Sequence, residues 1–277
     1  QVLKAQDVDL LTIAKRTSGL SGANLANLVN DAVLKAAKDG AEAVATHHLE
    51  YATDRILVGG ERRSVAMPDN CKRMTTYHEA GHAIVAIHTD GADPVHKATI
   101  VPRGDFLGMV WQLPEEDDEF IYSKKKMLAG LDVLMGGRAA EEVIFGESEV
   151  SSLALTDLGE ATQLATDMVA RYGMSKQVGS VSYDNNDGSW NAKTMSWNST
   201  TMVDQEVKEL LSKAYENAKT ILAAHKRELH TLVVALLEHE TLTGDQITAL
   251  LNETLANRET GIDWPQEEEE VNEWSNR

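Results

Sequence analysis

The sequence predicts a mainly α protein, in which a small helical module is followed by a larger helical domain with one small β-sheet. Apolar residues recur every three or four positions along most of the 277 residues, which is typical of amphipathic helices. Only two short segments have the apolar, β-branched character of strands. The glycine pair at 59–60 and the proline-containing stretch after it divide the chain into its two parts.

The predicted module covers residues 1–60 and contains three helices. Ser21 is placed to cap the second helix and Thr46 the third, because a hydroxyl at that position accepts a backbone N–H of the first turn. The glycines at 59–60 end the module. Residues 61–69 are predicted to be a linker, which leads into the larger domain.

The larger domain is predicted over residues 70–256, and its first helix runs from about 70 to 89. The segments 98–101 and 109–113 are predicted to be two strands of one small sheet. A helix is expected to begin at Ser123, where the hydroxyl can cap it.

Further helices fill the rest of this domain. The Ser123 helix is expected to break at the glycine pair 136–137 and then to resume, and another helix is expected from about 156 to 172. Residues 184–200, which include Trp190 and Trp197, are rich in Asn, Ser, Asp and Gly and predict a loop, after which three helices follow over 203–256.

The negative charge of the chain is concentrated in two short segments. The formal charge is −18, from 44 acidic and 26 basic residues. Eleven of these excess negative charges lie in 115–119 and 259–277, and such blocks repel one another and stay solvated. We therefore predict an acidic loop at the first segment and an acidic tail over 257–277.

Composition excludes several classes of protein. The acidic surplus argues against a nucleic-acid partner, because phosphate binding needs Lys and Arg. Cys71 is the single cysteine, which excludes an intrachain disulfide framework and a cysteine-based zinc finger. No apolar run approaches the roughly 18 residues of a membrane helix. Because the sequence begins at Gln1 rather than Met, we expect a fragment of a longer protein, and because it has no membrane span we expect that fragment to be soluble.

The first predicted helix of the larger domain contains the motif His-Glu-x-x-His. His78 and His82 are four residues apart and so share one helix face, where both imidazoles can reach a single tetrahedral zinc. Glu79 is then beside the metal, where it can accept a proton from water. Gly81 weakens a helix by about 1 kcal/mol relative to Ala, which predicts that another segment packs closely there.

Spacing alone does not identify the third zinc ligand. His88 fits the metzincin spacing, but that motif needs a glycine where this chain has Val85, and a β-branched residue is poorly suited to the turn. If the helix continues, His88 lies about 120° around its axis from His82 and faces away. Three acids on later predicted helices stay open as candidates: Glu141, Glu142 and Asp157.

Four segments together resemble one known family, the FtsH-type AAA+ zinc metalloproteases. The resemblance is colinear over residues 1 to about 256. The sequence around 88–91 and 145–150 most resembles the mitochondrial i-AAA branch. The four segments that carry it are 78–82, 93–104, 136–142 and 172–175.

The resemblance implies that residues 1–60 are the C-terminal helical lid of an AAA+ ATPase module. Gly22 and Ala23 then lie in the lid segment that touches the nucleotide in this family. Asn24 stands where the family usually has Asp. The chain has no G-x-x-x-x-G-K-[ST] motif, so ATP and Mg²⁺ are expected only in the full-length protein.

The resemblance also implies the ligand set and the mechanism. Asp157 becomes the third zinc ligand beside His78 and His82, with Glu79 as general base. In this segment, Leu153 replaces a family glycine, and Leu155 replaces a usually small or polar residue. Substrate polypeptide is expected to lie extended along the sheet edge near residues 106–111.

For the whole protein, the resemblance implies an ATP-dependent, membrane-anchored homo-hexamer that degrades unfolded or damaged proteins. It places that protein at the mitochondrial inner membrane, with the catalytic part facing the intermembrane space; a chloroplast or bacterial membrane is the alternative. The chain alone is expected to hydrolyse flexible peptides without ATP and to leave folded proteins intact. The competing hypothesis is a catalytically silent structural or chaperone subunit of the same complex.

Overall fold

The computed structural model describes residues 3–64, 67–114, 121–183 and 195–259. The chain divides into two compact units. Unit 1 consists of Gln1–Met67 and Val101–Gly108, and unit 2 of Pro68–Ile100 and Met109–Arg277. Helices predominate in both, as the sequence predicted, and the three strands described form one small sheet.

The described residues of unit 1 form three helices, α1 (Leu10–Arg16), α2 (Gly22–Lys38) and α3 (Thr46–Leu57). Ser21 caps α2, and its hydroxyl oxygen accepts the Asn24 N–H at 3.3 Å, which confirms the predicted cap. The helices enclose a small apolar core of their own, formed by Val8, Ile13, Leu28, Ala32, Ala36, Val44, Leu49 and Ala52.

The predicted cap of α3 was wrong by one residue. Ala45 occupies the N-cap position, and Thr46 is already helical. Asp7 explains the difference, because its carboxylate accepts the Thr46 N–H at 3.1 Å and its carbonyl accepts the Thr46 hydroxyl at 2.5 Å. A residue 39 positions away therefore satisfies the helix end that a local hydroxyl was expected to satisfy.

Buried charges hold the segment Val101–Gly108 in unit 1. Asp54 lies between two guanidinium groups, 2.5 Å from Arg16 and 3.5 Å from Arg103. Arg103 also reaches Glu61 at 2.6 Å. This segment follows the first predicted strand, so part of the predicted range 70–256 packs with the helical module.

Unit 2 is built around the first helix of the larger domain, α4 (Asp69–His88), which is buried on every side from Thr75 to Ala86. A helix that is buried all round belongs to the centre of a domain. The other helices described in unit 2 are α5 (Lys124–Phe145), α6 (Leu155–Thr166), α7 (Trp197–Ala224), α8 (Lys226–His239) and α9 (Gly244–Glu259).

The sheet of unit 2 is antiparallel, with the order β2-β1-β3. Its strands are β1 (Val95–Thr99), β2 (Met109–Gln112) and β3 (Thr241–Thr243). Ala98 pairs with Val110 on one side and Leu242 on the other. The first strand lies three residues earlier than the predicted start, and the third strand was not predicted because three residues after a helix give too short a pattern.

One predicted helix break is absent, and the end of one predicted loop is helical. Helix α5 passes through 136–137 without interruption, because these glycines serve close packing rather than a turn, as shown below. Helix α7 begins at Trp197, inside the predicted loop 184–200, where Ser196 accepts the Ser199 N–H at 3.2 Å. The predicted acidic loop at 115–119, the rest of the 184–200 loop with Trp190, and the tail beyond Glu259 lie outside the described residues.

Helix α6 continues into a π-helical turn, Asp167–Arg171. Gly173 follows with φ +61, so the predicted stop there is confirmed. Among the described helices, none has the combined length and apolar character that crossing a bilayer requires.

Candidate metal centre

Helix α4 brings its two motif histidines together in the interior of unit 2. The His78 and His82 side chains are buried, and their Nε2 atoms lie 3.1 Å apart. Their ring planes are nearly perpendicular, at 78°. The helix runs straight through the motif, so the i, i+4 spacing places both rings on one face.

Helix α6 contributes a carboxylate to the same point. Asp157 lies in the first turn of α6, and its Oδ2 is 3.1 Å from Nε2 of His78 and 3.6 Å from Nε2 of His82. One ligand atom from each of these three residues falls within 4.8 Å of the others. Two imidazoles and one carboxylate are a donor set that suits zinc.

The far side of each imidazole is held by an acceptor. His78 Nδ1 donates to Glu141 at 2.7 Å, and His82 Nδ1 donates to the Val133 carbonyl at 2.7 Å. An acceptor at Nδ1 keeps the proton of a neutral imidazole on that nitrogen, so the Nε2 lone pair faces the cluster. Both rings are therefore oriented as metal ligands are.

Glu141 also organises the segment before α6. Its other oxygen accepts the Ser151 N–H at 2.6 Å, and its side chain is fully buried. One carboxylate thus fixes His78 and also anchors the chain six residues before Asp157. Glu141 was one of the three candidates for the third zinc ligand. It lies behind the His78 ring, at Nδ1, and not among the three ligand atoms that converge.

The carboxylates favour positive charge in the cluster. Burial by itself would lower the pKa of His78, but its hydrogen bonds to Asp157 and Glu141 outweigh burial and raise that pKa to about 10. Burial by itself would raise the pKa of Asp157, but hydrogen bonds to the two imidazoles hold that pKa well below the usual range. A metal dication would supply the same positive charge, so the residues present fit a zinc ion.

Glu79 is buried beside the two histidines. Burial raises its pKa above the usual value, and the neighbouring imidazoles His78 and His82 oppose that rise. A raised pKa makes this carboxylate a stronger base, which suits it to accepting and returning a proton.

Glycines allow α4 and α5 to approach closely at the cluster. A Cβ at Gly81 would lie 2.6 Å from the Gly136 carbonyl oxygen and 2.5 Å from the Ala140 Cβ. A Cβ at Gly137 would lie 2.5 Å from His78 and 2.6 Å from His82 Nε2. The close packing predicted at Gly81 is confirmed. The glycine pair 136–137, predicted to break the helix, instead makes room for α4 and its imidazoles.

The remaining candidates lie away from this cluster. Glu142 contacts Tyr215 and, at 2.8 Å, Lys219. His88 is the last residue of α4 and contacts Glu228, so it faces away as expected. Gly22 and Ala23, the residues expected to contact nucleotide, lie in the first turn of α2 in unit 1.

The two departures from the family pattern, Leu153 and Leu155, both lie shortly before Asp157 in the chain. Leu155 is the first residue of α6, and 77% of its surface is exposed. The Leu153 N–H donates to the Ser151 hydroxyl at 3.1 Å.

The similarity of the chain to known proteins agrees with this geometry. Residues 65–250 match peptidase family M41. The chain belongs to peptidase family M41. Residues 7–51 match the AAA+ lid domain, so an AAA+ lid sequence precedes the M41 sequence. The fold is accordingly an AAA+ lid followed by a helical M41 domain with a small sheet.

Similar proteins of this M41 family occur in plants, animals and bacteria. The chain is 48% identical to the ATP-dependent zinc metalloprotease FTSH 11, chloroplastic/mitochondrial, of Arabidopsis thaliana, over 89% of the chain and 30% of that protein. It is 45% identical to ATP-dependent zinc metalloprotease YME1L of Drosophila melanogaster, over 90% of the chain and 33% of that protein. It is 46% identical to ATP-dependent zinc metalloprotease FtsH of Caulobacter vibrioides, over 96% of the chain and 42% of that protein. The chain therefore spans between 30% and 42% of the length of these relatives.

Glu141 provides a direct test of how His78 is held. The change Glu141→Gln is expected to lower zinc affinity by roughly 10–100-fold, because an amide is a weaker acceptor for the His78 Nδ1–H. Zinc affinity would be measured by competition with a chromogenic chelator. Glu142→Gln is the matched control, since the adjacent carboxylate contacts Tyr215 and Lys219 instead. Equal affinities for the two variants would contradict the assigned role.

Proposed function

We propose that unit 2 is a zinc metalloendopeptidase in which His78, His82 and Asp157 hold the metal and Glu79 is the general base. The observation that carries the proposal is the convergence of three ligand atoms within 4.8 Å, with both imidazoles oriented from behind by Glu141 and Val133. The names of the M41 relatives, which are zinc metalloproteases, support the choice of metal.

The chain's own residues then divide the work of peptide hydrolysis. A bound zinc ion supplies a Lewis acid that polarises a carbonyl and acidifies water. Glu79 accepts the proton of the attacking water and returns it to the leaving amine. Glu141 keeps the proton of His78 on Nδ1, so that Nε2 stays available to the metal.

Substrate polypeptide is proposed to bind as an additional strand. Strand β2 is the last strand of the sheet in the part of the chain described, so one of its edges points away from β1. Main-chain pairing along that edge tolerates many sequences, which suits a protease of broad specificity. The strand at this edge is shorter than the expected segment 106–111 and begins later, since β2 is Met109–Gln112. Phe106 lies in the segment grouped with unit 1.

The whole protein is proposed to be an ATP-dependent, membrane-anchored homo-hexamer that degrades unfolded or damaged proteins. The AAA+ lid match and the ATP-dependent relatives support the ATP dependence in this proposal, and the remaining features come from the resemblance to the FtsH-type family. Gly22 and Ala23 would then contact the nucleotide, with ATP and Mg²⁺ bound only in the full-length protein. A mitochondrial inner membrane, with the catalytic part in the intermembrane space, is the proposed location, and a chloroplast or bacterial membrane the alternative.

A catalytically silent subunit is the second candidate function. The observation in its favour is the sequence of the segment before Asp157, where Leu153 and the exposed Leu155 replace residues usual in the family. Zinc content together with cleavage of an unstructured protein separates the two candidates.

The decisive experiment for the ligand set removes the carboxylate. The change Asp157→Ala is expected to reduce zinc affinity by at least about 100-fold and to abolish cleavage of an unstructured protein, because only two protein ligands are left. Zinc would be measured by mass spectrometry after dialysis against a weak chelator. Glu160→Ala, an exposed acid on the same helix, is the control and should change neither quantity. Full zinc content in Asp157→Ala would refute the assignment.

A further inference from the structure

A second group of metal-ligating side chains lies in unit 2, at the ends of three helices. His88 is the last residue of α4, His225 lies between α7 and α8, and Glu228 is in the first turn of α8. Nε2 of His88 is 2.7 Å from one oxygen of Glu228, and Nδ1 of His225 is 2.7 Å from the other. One carboxylate is therefore shared by two imidazoles.

The shared carboxylate is buried and the imidazoles are accessible. Only 7% of the Glu228 side chain is exposed, against 23% for His88 and 31% for His225. Each of the two Glu228 oxygens accepts a hydrogen bond from one of the imidazoles. An ionised carboxylate at this depth needs positive charge beside it.

The donor set repeats that of the centre on α4. Each group has two imidazole nitrogens and one carboxylate oxygen within 4.8 Å of one another. This combination suits divalent transition metals of the zinc class rather than Mg²⁺ or Ca²⁺, which prefer oxygen donors. We propose that His88, His225 and Glu228 form a second binding site for a zinc-class dication, separate from the peptidase centre.

Coordination requires only a local adjustment of the two rings. The imidazoles are stacked, with centroids 3.5 Å apart and planes 18° from parallel. A shared ion requires the planes to open so that both lone pairs converge, with donor atoms about 3.3 Å apart for metal–nitrogen bonds of roughly 2.0–2.1 Å. Both histidines stand at helix ends and are partly exposed, which leaves room for that rotation, and water can complete the tetrahedron.

The remaining group of this kind in the described residues is less suited to a metal. It lies in unit 1 and consists of Asp39, His47 and His48. His48 Nδ1 already accepts the Ala45 N–H at 3.0 Å, and a third of the Asp39 side chain is exposed. Glu228, by contrast with Asp39, is a buried carboxylate that contacts two imidazoles.

A metal at this site would join the end of α4 to the α7–α8 junction. Helix α4 also holds His78 and His82, so the second ion would fix the end of the helix that positions the first. An ion that binds the folded chain and not the unfolded chain stabilises the fold. The site is accordingly proposed to be structural.

The test counts zinc in the 277-residue chain. The chain would be stripped with a chelator, reloaded with Zn²⁺ alone, freed of excess ion and analysed by mass spectrometry. Zinc is expected at about two ions per chain, with a loss of about one in His88→Ala and in Glu228→Gln. His239→Ala, an exposed histidine on α8, is the matched control and should lose none.

Variants of the other centre separate this proposal from the proposed function. His78→Ala should lose one zinc ion, and His78→Ala with Glu228→Gln should lose two. Unchanged zinc in both His88→Ala and Glu228→Gln overturns the second site. Unchanged zinc in His78→Ala alone would contradict the peptidase centre instead. Circular dichroism checks folding, and Glu228→Gln, which preserves side-chain size, decides the question if His88→Ala is misfolded.

Discussion

Replacement of Glu79 by glutamine is expected to reduce peptide hydrolysis by about 10²–10⁴-fold while zinc content stays unchanged. Glutamine has the size of glutamate and fits the same buried position, but its amide cannot accept the proton of the attacking water. His78, His82 and Asp157 are untouched by this change, so the metal should still bind. The variant thus isolates proton transfer from metal binding.

The measurement is initial rate on a flexible fluorogenic peptide, together with zinc content of the same sample. Glu160→Gln, an exposed acid on α6, controls for loss of charge alone and should keep the full rate. If Glu79→Gln and the unchanged chain cleave at the same rate, Glu79 is not the base. If neither cleaves although zinc is bound, the silent-subunit hypothesis is favoured.

The change Gly137→Ala is expected to remove zinc and activity together. The added Cβ would lie 2.5 Å from His78 and 2.6 Å from His82 Nε2, where the imidazole nitrogens face the metal. Contacts that short force the rings or the α4–α5 packing to shift, and overpacking of this kind costs about 1–3 kcal/mol. Zinc affinity should fall by at least about 100-fold, because both imidazoles lose their orientation at once.

Gly159→Ala is a sharp control for this variant. Gly159 lies on α6, and a Cβ there would have no atom within 4 Å. Alanine is also the better helix former by about 1 kcal/mol, so that variant should bind zinc normally and be slightly more stable. Thermal unfolding and zinc titration of Gly137→Ala and Gly159→Ala would measure both the stability and the zinc affinity of the two variants. Normal zinc binding by Gly137→Ala would contradict the close approach of α4 and α5 at this residue.

The sequence predicts best where the interactions are local. The spacing of His78 and His82 predicts their shared helix face, because four residues are about one helical turn. Ser21 and Ser123 were identified as caps for the same reason, and both cap their helices. The Thr46 cap failed because its N–H is satisfied by Asp7, a partner that lies far away in the sequence.

Long-range contacts explain the other differences. Glycines 136–137 have the composition of a break, yet they lie within a continuous helix because α4 approaches them from a segment more than fifty residues earlier. Strand β3 forms because β1 offers it a partner. Neither partner can be inferred from the residues adjacent to the feature.

The sequence alone determined the mainly helical class, the motif on α4 and, through resemblance, the family. Spacing left Glu141, Glu142 and Asp157 equivalent. The resemblance pointed to Asp157, and the tertiary structure gives each acid its own position, with Asp157 at Nε2 of His78, Glu141 at Nδ1 and Glu142 elsewhere. The physical reason is that a metal site needs ligand atoms within a few ångströms, and for residues 63 and 79 positions from His78 that proximity depends on how helices pack.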